Sequence, residues 1–249
     1  MLTYLEKLIS ANSVEEVWSN HTEKMAEYGF DRLIYGSTRF RTDRSLGDPQ
    51  DHVMLTNHDP AYIERFINGG LFFNGPMVRW ALDNEGSCSW RRVKERELRG
   101  DLSEAEKAVV AFNRSMGVTA GYSVSFRSVS VRTKGGIALT AEPGMTQDEV
   151  DELWKECGCE IETLNNLLHL KILSLPFFGL RRPLTDRQRE ALEWVGEGKT
   201  TQDIAQIMGL TPATVEKHLR LARTNLDVET TAQAVLKASV QNQIFILNV

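Results

Sequence analysis

Apolar positions in the first 173 residues follow two different periods. Four short runs begin at Arg32, Asp51, Gly121 and Gly136. In each run apolar residues alternate with polar ones or stand together, and glycines or polar turns bound the run. This pattern is typical of β-strands. The last two runs predict an antiparallel pair joined by a turn at residues 132–136.

Helices in the same region are marked by capping boxes. Ser103 with Glu106, and Thr146 with Glu149, have the spacing at which a hydroxyl and a carboxylate satisfy free N–H groups of a first helical turn. The helix after Thr146 has one apolar stripe, which we interpret as packing on its own sheet, with a partner subunit's helix as the alternative. The predicted fold of residues 1–173 is α+β, an α/β/α sandwich with a mainly antiparallel sheet.

The pattern changes after residue 173. Two prolines and a glycine in residues 174–183 predict a linker, and residues 184–249 predict a separate all-α domain of four helices. Thr185 with Gln188 forms a capping box, and Thr200 or Thr201 caps the second helix. Gly209 permits a tight turn before Thr211, which caps the third helix. Short helices joined by such a turn are typical of a helix-turn-helix DNA-binding domain.

The outward face of the third helix supplies candidate DNA contacts. Lys217 and Arg220 are predicted to donate to base edges or nearby phosphates, and Glu216 is a candidate acceptor from cytosine. The residues predicted to hold the phosphate backbone are Lys199, Thr201, Thr211, Thr214 and Arg223. The alternative is a small helical packing domain whose charged face is only solvated.

Charge and composition restrict the remaining classes. The net charge is −5, yet residues 181–249 hold nine Lys and Arg against eight Asp and Glu, so any DNA-binding surface is local. We interpret the three cysteines as packing residues and expect no metal and no cofactor. No apolar run approaches the roughly 20 residues that span a bilayer, and the acidic amphipathic start is unlike a signal peptide. We therefore expect a cytoplasmic protein with no membrane partner.

The C-terminal run from Leu184 to Val235 resembles the DNA-binding domain of LuxR-type regulators. The matching residues are Leu184, Thr185, Arg189, Glu190, Leu192, Gly198, Lys199, Ile204, Ala205, Leu210, Thr214, Val215, Lys217, His218, Leu219, Ala234 and Val235. Asn225 and Asp227 depart from the pattern, which usually has Lys and Gly there. The resemblance implies that the fourth helix, about residues 230–241, forms a homodimer whose two recognition helices reach a pseudo-palindromic operator.

The first domain resembles, more loosely, the autoinducer-binding domain of quorum-sensing LuxR-type regulators. The family spaces a Trp, an aromatic residue, an Asp-Pro pair and a second Trp at positions that here hold Tyr62, Phe66, Gly75-Pro76 and Trp90. His58 replaces a family Tyr, and Thr140 falls where the family has a pocket hydroxyl. Together with nearby apolar residues, the resemblance gives the candidate ligand-binding set Tyr35, His58, Tyr62, Phe66, Phe73, Gly75, Met77, Trp90, Phe112 and Thr140, for each of which core packing is the alternative role.

Gly75 changes the expected ligand chemistry. In the family, the Asp accepts the amide N–H of an acyl-homoserine lactone, whereas glycine has no acceptor. The sequence thus favours an orphan regulator whose small ligand need not be an ordinary acyl-homoserine lactone. Two alternatives remain: a ligand-independent regulator or adaptor with a filled core, and an enzyme using His58. The enzyme is disfavoured because the sequence has no nucleophile elbow, phosphate loop or metal-ligand spacing.

Overall fold

A computed structural model of the chain describes residues 1–42, 45–128, 130–177 and 182–246. The chain divides into two compact units, Met1–Leu173 and Ser174–Val249. Residues 178–181, inside the predicted linker at 174–183, lie outside the described residues.

The first unit is built on a sheet in which, within the described residues, five antiparallel strands follow the order β2-β1-β5-β4-β3. The strands are β1 Phe30–Thr38, β2 Val53–Thr56, β3 Gly86–Ser89, β4 Gly121–Ser125 and β5 Lys134–Ala141. The helices are α1 Leu2–Ser10, α2 Val14–Ala26, α3 Pro60–Ile63, α4 Pro76–Asp83, α5 Arg91–Arg99, α6 Glu104–Ser115 and α7 Gln147–Ser174, with a π-helical turn at Glu64–Asn68 that continues α3. The predicted α+β class is confirmed.

The two faces of the sheet differ in side-chain size because successive residues of a strand point to opposite sides. One face is filled by large residues and packs against α7. Tyr122 stacks on Trp154 of α7 at 3.8 Å between ring centroids, and the Tyr35 hydroxyl lies 2.8 Å from His169 Nδ1. The apolar stripe of α7, including Val150, is buried here, which agrees with packing on its own sheet.

The strand β5 begins earlier than the sequence predicts. Residues 132–136 were expected to form a turn, but Gly135 pairs with Ser37 and Gly136 with Gly36 inside the sheet. A Cβ on Gly135 would lie 2.7 Å from His169 Cε1. This glycine therefore permits the close approach of α7 rather than a turn.

Three histidines are buried in the first unit. The His21 ring is hydrogen-bonded on both sides: Nδ1 lies 2.6 Å from the Tyr4 hydroxyl of α1, and Nε2 lies 3.1 Å from Asn165 Oδ1 of α7. His169 Nδ1 is hydrogen-bonded to the Tyr35 hydroxyl. Burial lowers the pKa of His21, His58 and His169 to about 4, because the charged ring loses its hydration. Each is neutral in the folded protein at neutral pH.

We expect His21→Asn to flatten the pH dependence of stability. Between about pH 6.5 and pH 4 the unfolded chain binds a proton at residue 21 that the folded chain does not, so the free energy of unfolding falls as pH falls through this window. One such group contributes a slope of about 1.4 kcal/mol per pH unit. Urea unfolding at several pH values between 7 and 5 measures this slope. A variant with the wild-type slope would show that His21 is not the source.

The second unit contains α8 Asp186–Gly196, α9 Thr201–Met208, α10 Pro212–Leu226 and α11 Thr231–Val240. Thr200 rather than Thr201 caps α9, and Gly209 ends it in the left-handed region at a φ of 65°. Thr211 Oγ1 accepts the backbone N–H of Thr214 at 3.2 Å and so begins α10. The core is formed by residues of these four helices, among them Leu192, Ile204, Val215, Leu219 and Ala234, and by Ile244, which follows α11. The predicted all-α class is confirmed.

The segment that follows α11 returns to the start of this unit. Gln243 Nε2 donates to the backbone oxygen of Phe177 at 2.8 Å, and the Phe177 N–H donates to the oxygen of Gln241 at 3.0 Å. The Phe245 N–H donates to Glu193 Oε1 of α8 at 2.8 Å. Residues 241–246, which we call the C-terminal return, are thus part of the folded unit.

Candidate functional site

A cavity of about 740 Å³ lies in the first unit, on the sheet face opposite α7. This volume is within the usual range for small-molecule sites, about 300–1,000 Å³. Its floor is formed by small residues of the central strands, whose side chains leave space above the sheet: Gly36, Ser123, Gly136, Ala138 and Thr140. The segments from α3 to α6 cover the floor.

An aromatic stack forms one wall of this cavity. The Tyr62 ring lies between His58, at 4.4 Å between centroids, and Phe66, at 4.9 Å, and Phe112 contacts it at 5.3 Å. The Tyr62 hydroxyl donates to Asn113 Oδ1 of α6 at 2.9 Å. Burial raises the pKa of the Tyr62 hydroxyl well above its ordinary value, so the group stays protonated.

Trp90 forms a second wall. Its indole Nε1 donates to Ser123 Oγ of β4 at 2.9 Å. A Cβ on Gly121 would lie 2.9 Å from the Trp90 ring, so the glycine allows the indole to lie against the strand. Thr140 Oγ1 lies 3.4 Å from His58 Nε2, a long contact.

Gly75 lines the cavity where α4 begins, in ordinary extended geometry with a φ of −66°. A Cβ at this position would lie 3.0 Å from the backbone oxygen of Phe72 and 3.1 Å from Val78 Cγ2, so a side chain there requires small local shifts. Among the described lining residues the only carboxylate is Glu97, which is paired with Arg114 at 3.0 Å. The described cavity wall therefore offers no unpaired carboxylate, while Lys94 and Lys134 add two cations to its lining.

The structure brings together six of the ten residues expected to bind a ligand. Those in the cavity wall are Tyr62, Phe66, Gly75, Met77, Trp90 and Thr140. His58 and Phe112 lie behind Tyr62 and support its ring. Tyr35 points to the opposite sheet face, toward His169, and Phe73 is half exposed, so neither contributes to the wall.

Sequence reasoning missed several polar residues of the cavity, among them Asn113 and Ser123. Ser123 had a usable signal. In β4 and β5 large residues alternate with Gly, Ala or Ser, and a strand face made of small residues leaves unfilled space. Asn113 had none, since a single polar residue in an amphipathic helix normally faces solvent.

The candidate nucleic-acid interface is the exposed face of α10. Lys217 and Arg220 are exposed there, and neither forms an ion pair with another residue of the described chain. Thr201 Oγ1 donates to Glu216 Oε1 at 3.0 Å, which fixes this carboxylate against α9. Arg223 Nη1 donates to Thr231 Oγ1 at 2.8 Å, leaving four other N–H groups of its guanidinium.

The other expected backbone contacts lie at helix starts. Thr211 and Thr214 hydroxyls are 2.9 Å apart in the first turn of α10. Lys199 is exposed just before α9. Helix starts present N–H groups and a partial positive charge, which suit phosphate oxygens.

The described residues also lack two features. No helix there is both long and apolar enough to cross a bilayer. Within the same part of the chain, His, Cys, Asp and Glu side chains form no group of three or more suited to a metal ion.

Comparison with known proteins identifies the two units. The family model for autoinducer binding domains matches residues 13–172, and that for bacterial regulatory proteins of the luxR family matches residues 182–238. The chain is 26% identical to the transcriptional activator protein AnoR of Acinetobacter nosocomialis, over 96% of this chain and 98% of that protein. It is 38% identical to the transcriptional activator protein LuxR of Aliivibrio fischeri, over 88% and 82%.

The fold comparison agrees with these matches. The crystal structure of Escherichia coli SdiA, 18% identical, covers 98% of this chain and 97% of its own with a TM-score of 0.55. At this identity the likeness concerns the fold alone. Taken together with the two family matches, it shows that the chain is a transcriptional regulator rather than an enzyme and belongs to the LuxR family, with an autoinducer-binding domain followed by a helix-turn-helix domain.

Proposed function

We propose that this protein is a cytoplasmic regulator that binds a specific operator as a homodimer and responds to a small ligand held in the cavity of its first unit. The observation that carries the proposal is the 740 Å³ cavity with its largely apolar, partly polar wall. A filled core would leave no such space, so the cavity also counts against the ligand-independent adaptor.

DNA recognition is assigned to the exposed face of α10. Lys217 and Arg220 are the proposed base-contacting residues because their cations are exposed and engaged by no described carboxylate. Glu216 is held by Thr201, so it is proposed to contact cytosine only in the orientation that this bond fixes. Lys199, Thr201, Thr211, Thr214 and Arg223 are proposed to hold phosphates.

Dimer formation is assigned to α11. Leu236 on this helix is a large apolar residue that is 65% exposed, and contact with a partner subunit would remove it from water. Because residues 181–249 carry nine basic against eight acidic residues, one copy has little electrostatic hold on DNA. Two copies double the contact surface.

We expect the protein to protect a pseudo-palindrome with half-sites about one helical turn apart. Footprinting measures the spacing, and light scattering of the complex measures the number of protomers. Leu236→Lys should weaken operator binding without changing the fold of the second unit, whereas Lys155→Ala, an exposed change on α7, should not. One protomer per operator in the wild-type complex would contradict the proposal.

The proposed ligand differs from an ordinary acyl-homoserine lactone. Gly75 supplies no carboxylate to the cavity, and His58, which could have replaced it, lies behind Tyr62 rather than in the wall. The direct test of ligand sensing is mass spectrometry of small molecules extracted from the purified protein. A protein that carries no extractable molecule and gains no thermal stability from any acyl compound would overturn this part of the proposal.

A further inference from the structure

We infer that Asn113 and Ser123 are the residues that recognise the head group of the ligand, and that this head group presents acceptor oxygens without an N–H donor, as an acyl ester or an acyl-substituted lactone does. The inference rests on the proposed function, since it requires that the cavity hold a ligand.

The two aromatic donors of the cavity wall already form hydrogen bonds within the protein. The Tyr62 hydroxyl has one hydrogen, which it donates to Asn113 Oδ1 at 2.9 Å. The Trp90 indole has one N–H, which it donates to Ser123 Oγ at 2.9 Å. Neither aromatic group can donate to a ligand without breaking a buried hydrogen bond.

The two residues that accept these bonds also carry donor groups of their own. Asn113 Nδ2 carries two N–H groups and Ser123 Oγ carries one O–H, and both residues line the cavity. Within the described residues, neither Asn113 Nδ2 nor Ser123 Oγ donates a hydrogen bond to another residue. Because a hydrogen bond accepted by an amide or hydroxyl strengthens the bond it donates, Tyr62 and Trp90 reinforce these two donors.

A ligand N–H would need an acceptor in the cavity wall. Asn113 Oδ1 already accepts one hydrogen bond from Tyr62, Glu97 is paired with Arg114, and Gly75 has no side chain. A ligand amide N–H would thus meet no unpaired carboxylate in the described cavity wall, whereas carbonyl oxygens would meet two oriented donors. Acceptor-only head groups are therefore favoured.

The apolar part of the remaining lining suits a hydrocarbon chain. It is formed by residues of α4, α5, α6 and the preceding turns, including Phe66, Phe72, Met77, Val93 and Val110. Burying such a chain favours binding because it removes apolar surface from water. The two parts of the cavity together select an acyl compound with an acceptor head.

The experiment compares two probes that differ at one position. One is N-dodecanoyl-homoserine lactone, and the other is its ester isostere, in which oxygen replaces the amide N–H. Calorimetry gives the Kd of each for the wild type, Asn113→Leu, Asn113→Asp and a control, Asn166→Asp. Asn166 is also a half-buried helical asparagine, but it does not line the cavity.

We expect the wild type to bind the ester at least as tightly as the amide. Asn113→Leu should weaken binding of both probes by about three- to tenfold, the loss of one neutral hydrogen bond. Asn113→Asp should shift the preference toward the amide by about tenfold or more, since a carboxylate accepts an N–H and repels an ester oxygen. Asn166→Asp should leave the ratio of the two Kd values unchanged.

Two results would separate this inference from the proposed function. If the wild type binds the probes but prefers the amide by tenfold, or if both Asn113 variants bind as the wild type does, the inference is overturned and ligand sensing stands. If neither probe binds and no molecule can be extracted from the protein, the proposed ligand response itself fails, and the inference with it.

Discussion

The Lys217→Ala, Arg220→Ala double variant is expected to lose specific operator binding while its fold and dimer persist. Each side chain is exposed on α10, so truncation removes no core contact. The loss of one good base contact costs about 1 to 3 kcal/mol, so the double variant should bind its operator at least about thirtyfold more weakly. A gel shift at fixed salt, with operator and random DNA in parallel, measures the loss.

The matched control is Arg187→Ala. Arg187 is an exposed cation of the same unit, but it lies on α8 and is paired with Glu190 at 2.8 Å. Arg223→Ala is a poor control because this guanidinium also bonds Thr231 and its loss would affect packing. If the double variant still discriminates operator from random DNA as the wild type does, the base contacts lie elsewhere.

Gly75→Asp is expected to raise affinity for N-dodecanoyl-homoserine lactone by about one to two decades. In the wild type a buried amide N–H without an acceptor costs roughly 1 to 3 kcal/mol. A carboxylate at position 75 would accept that N–H, while it would weaken binding of the ester isostere, which offers no hydrogen. Thermal stabilisation by each probe, measured over a range of concentrations, gives the comparison.

The control Gly75→Ala distinguishes the effect of the carboxylate from the steric effect of adding a Cβ at position 75. A Cβ at this position comes within 3.1 Å of Val78 Cγ2 in both variants, but only aspartate adds an acceptor. Gly75→Ala should therefore bind both probes no better than the wild type. If the wild type is strongly stabilised by sub-micromolar amide and the aspartate variant gains nothing, another group satisfies the N–H.

The second unit could be predicted from local sequence because its helices begin and end with local signals. The capping box at Thr185, the cap at Thr200 and the left-handed residue Gly209 form in the structure as the sequence indicates. The strand β3 had no such signal. Its sequence Gly86–Ser89 lacks large apolar residues, and only pairing with β4 makes it a strand.

The cavity was less predictable because it depends on strand register. The spacing of Tyr62, Phe66, Gly75 and Trp90 located parts of two walls, since these residues follow one another along the chain. A shift of one residue along a strand reverses the face on which a side chain lies. That is why Tyr35 was expected near the ligand but faces His169, and why Ser123 and Asn113, which meet only in the folded sheet and helix, were not found.

The C-terminal return sets the minimum length of an excised DNA-binding fragment. The family match at residues 182–238 contains neither Phe177 nor Gln243, so a fragment cut to those bounds lacks both sides of the hydrogen bonds that join them. It would also lack Ile244, which is 4% exposed in the core of this unit. A fragment meant for DNA-binding measurements should therefore begin before Leu175 and extend beyond Phe245, and an affinity tag belongs at the other end of the full chain.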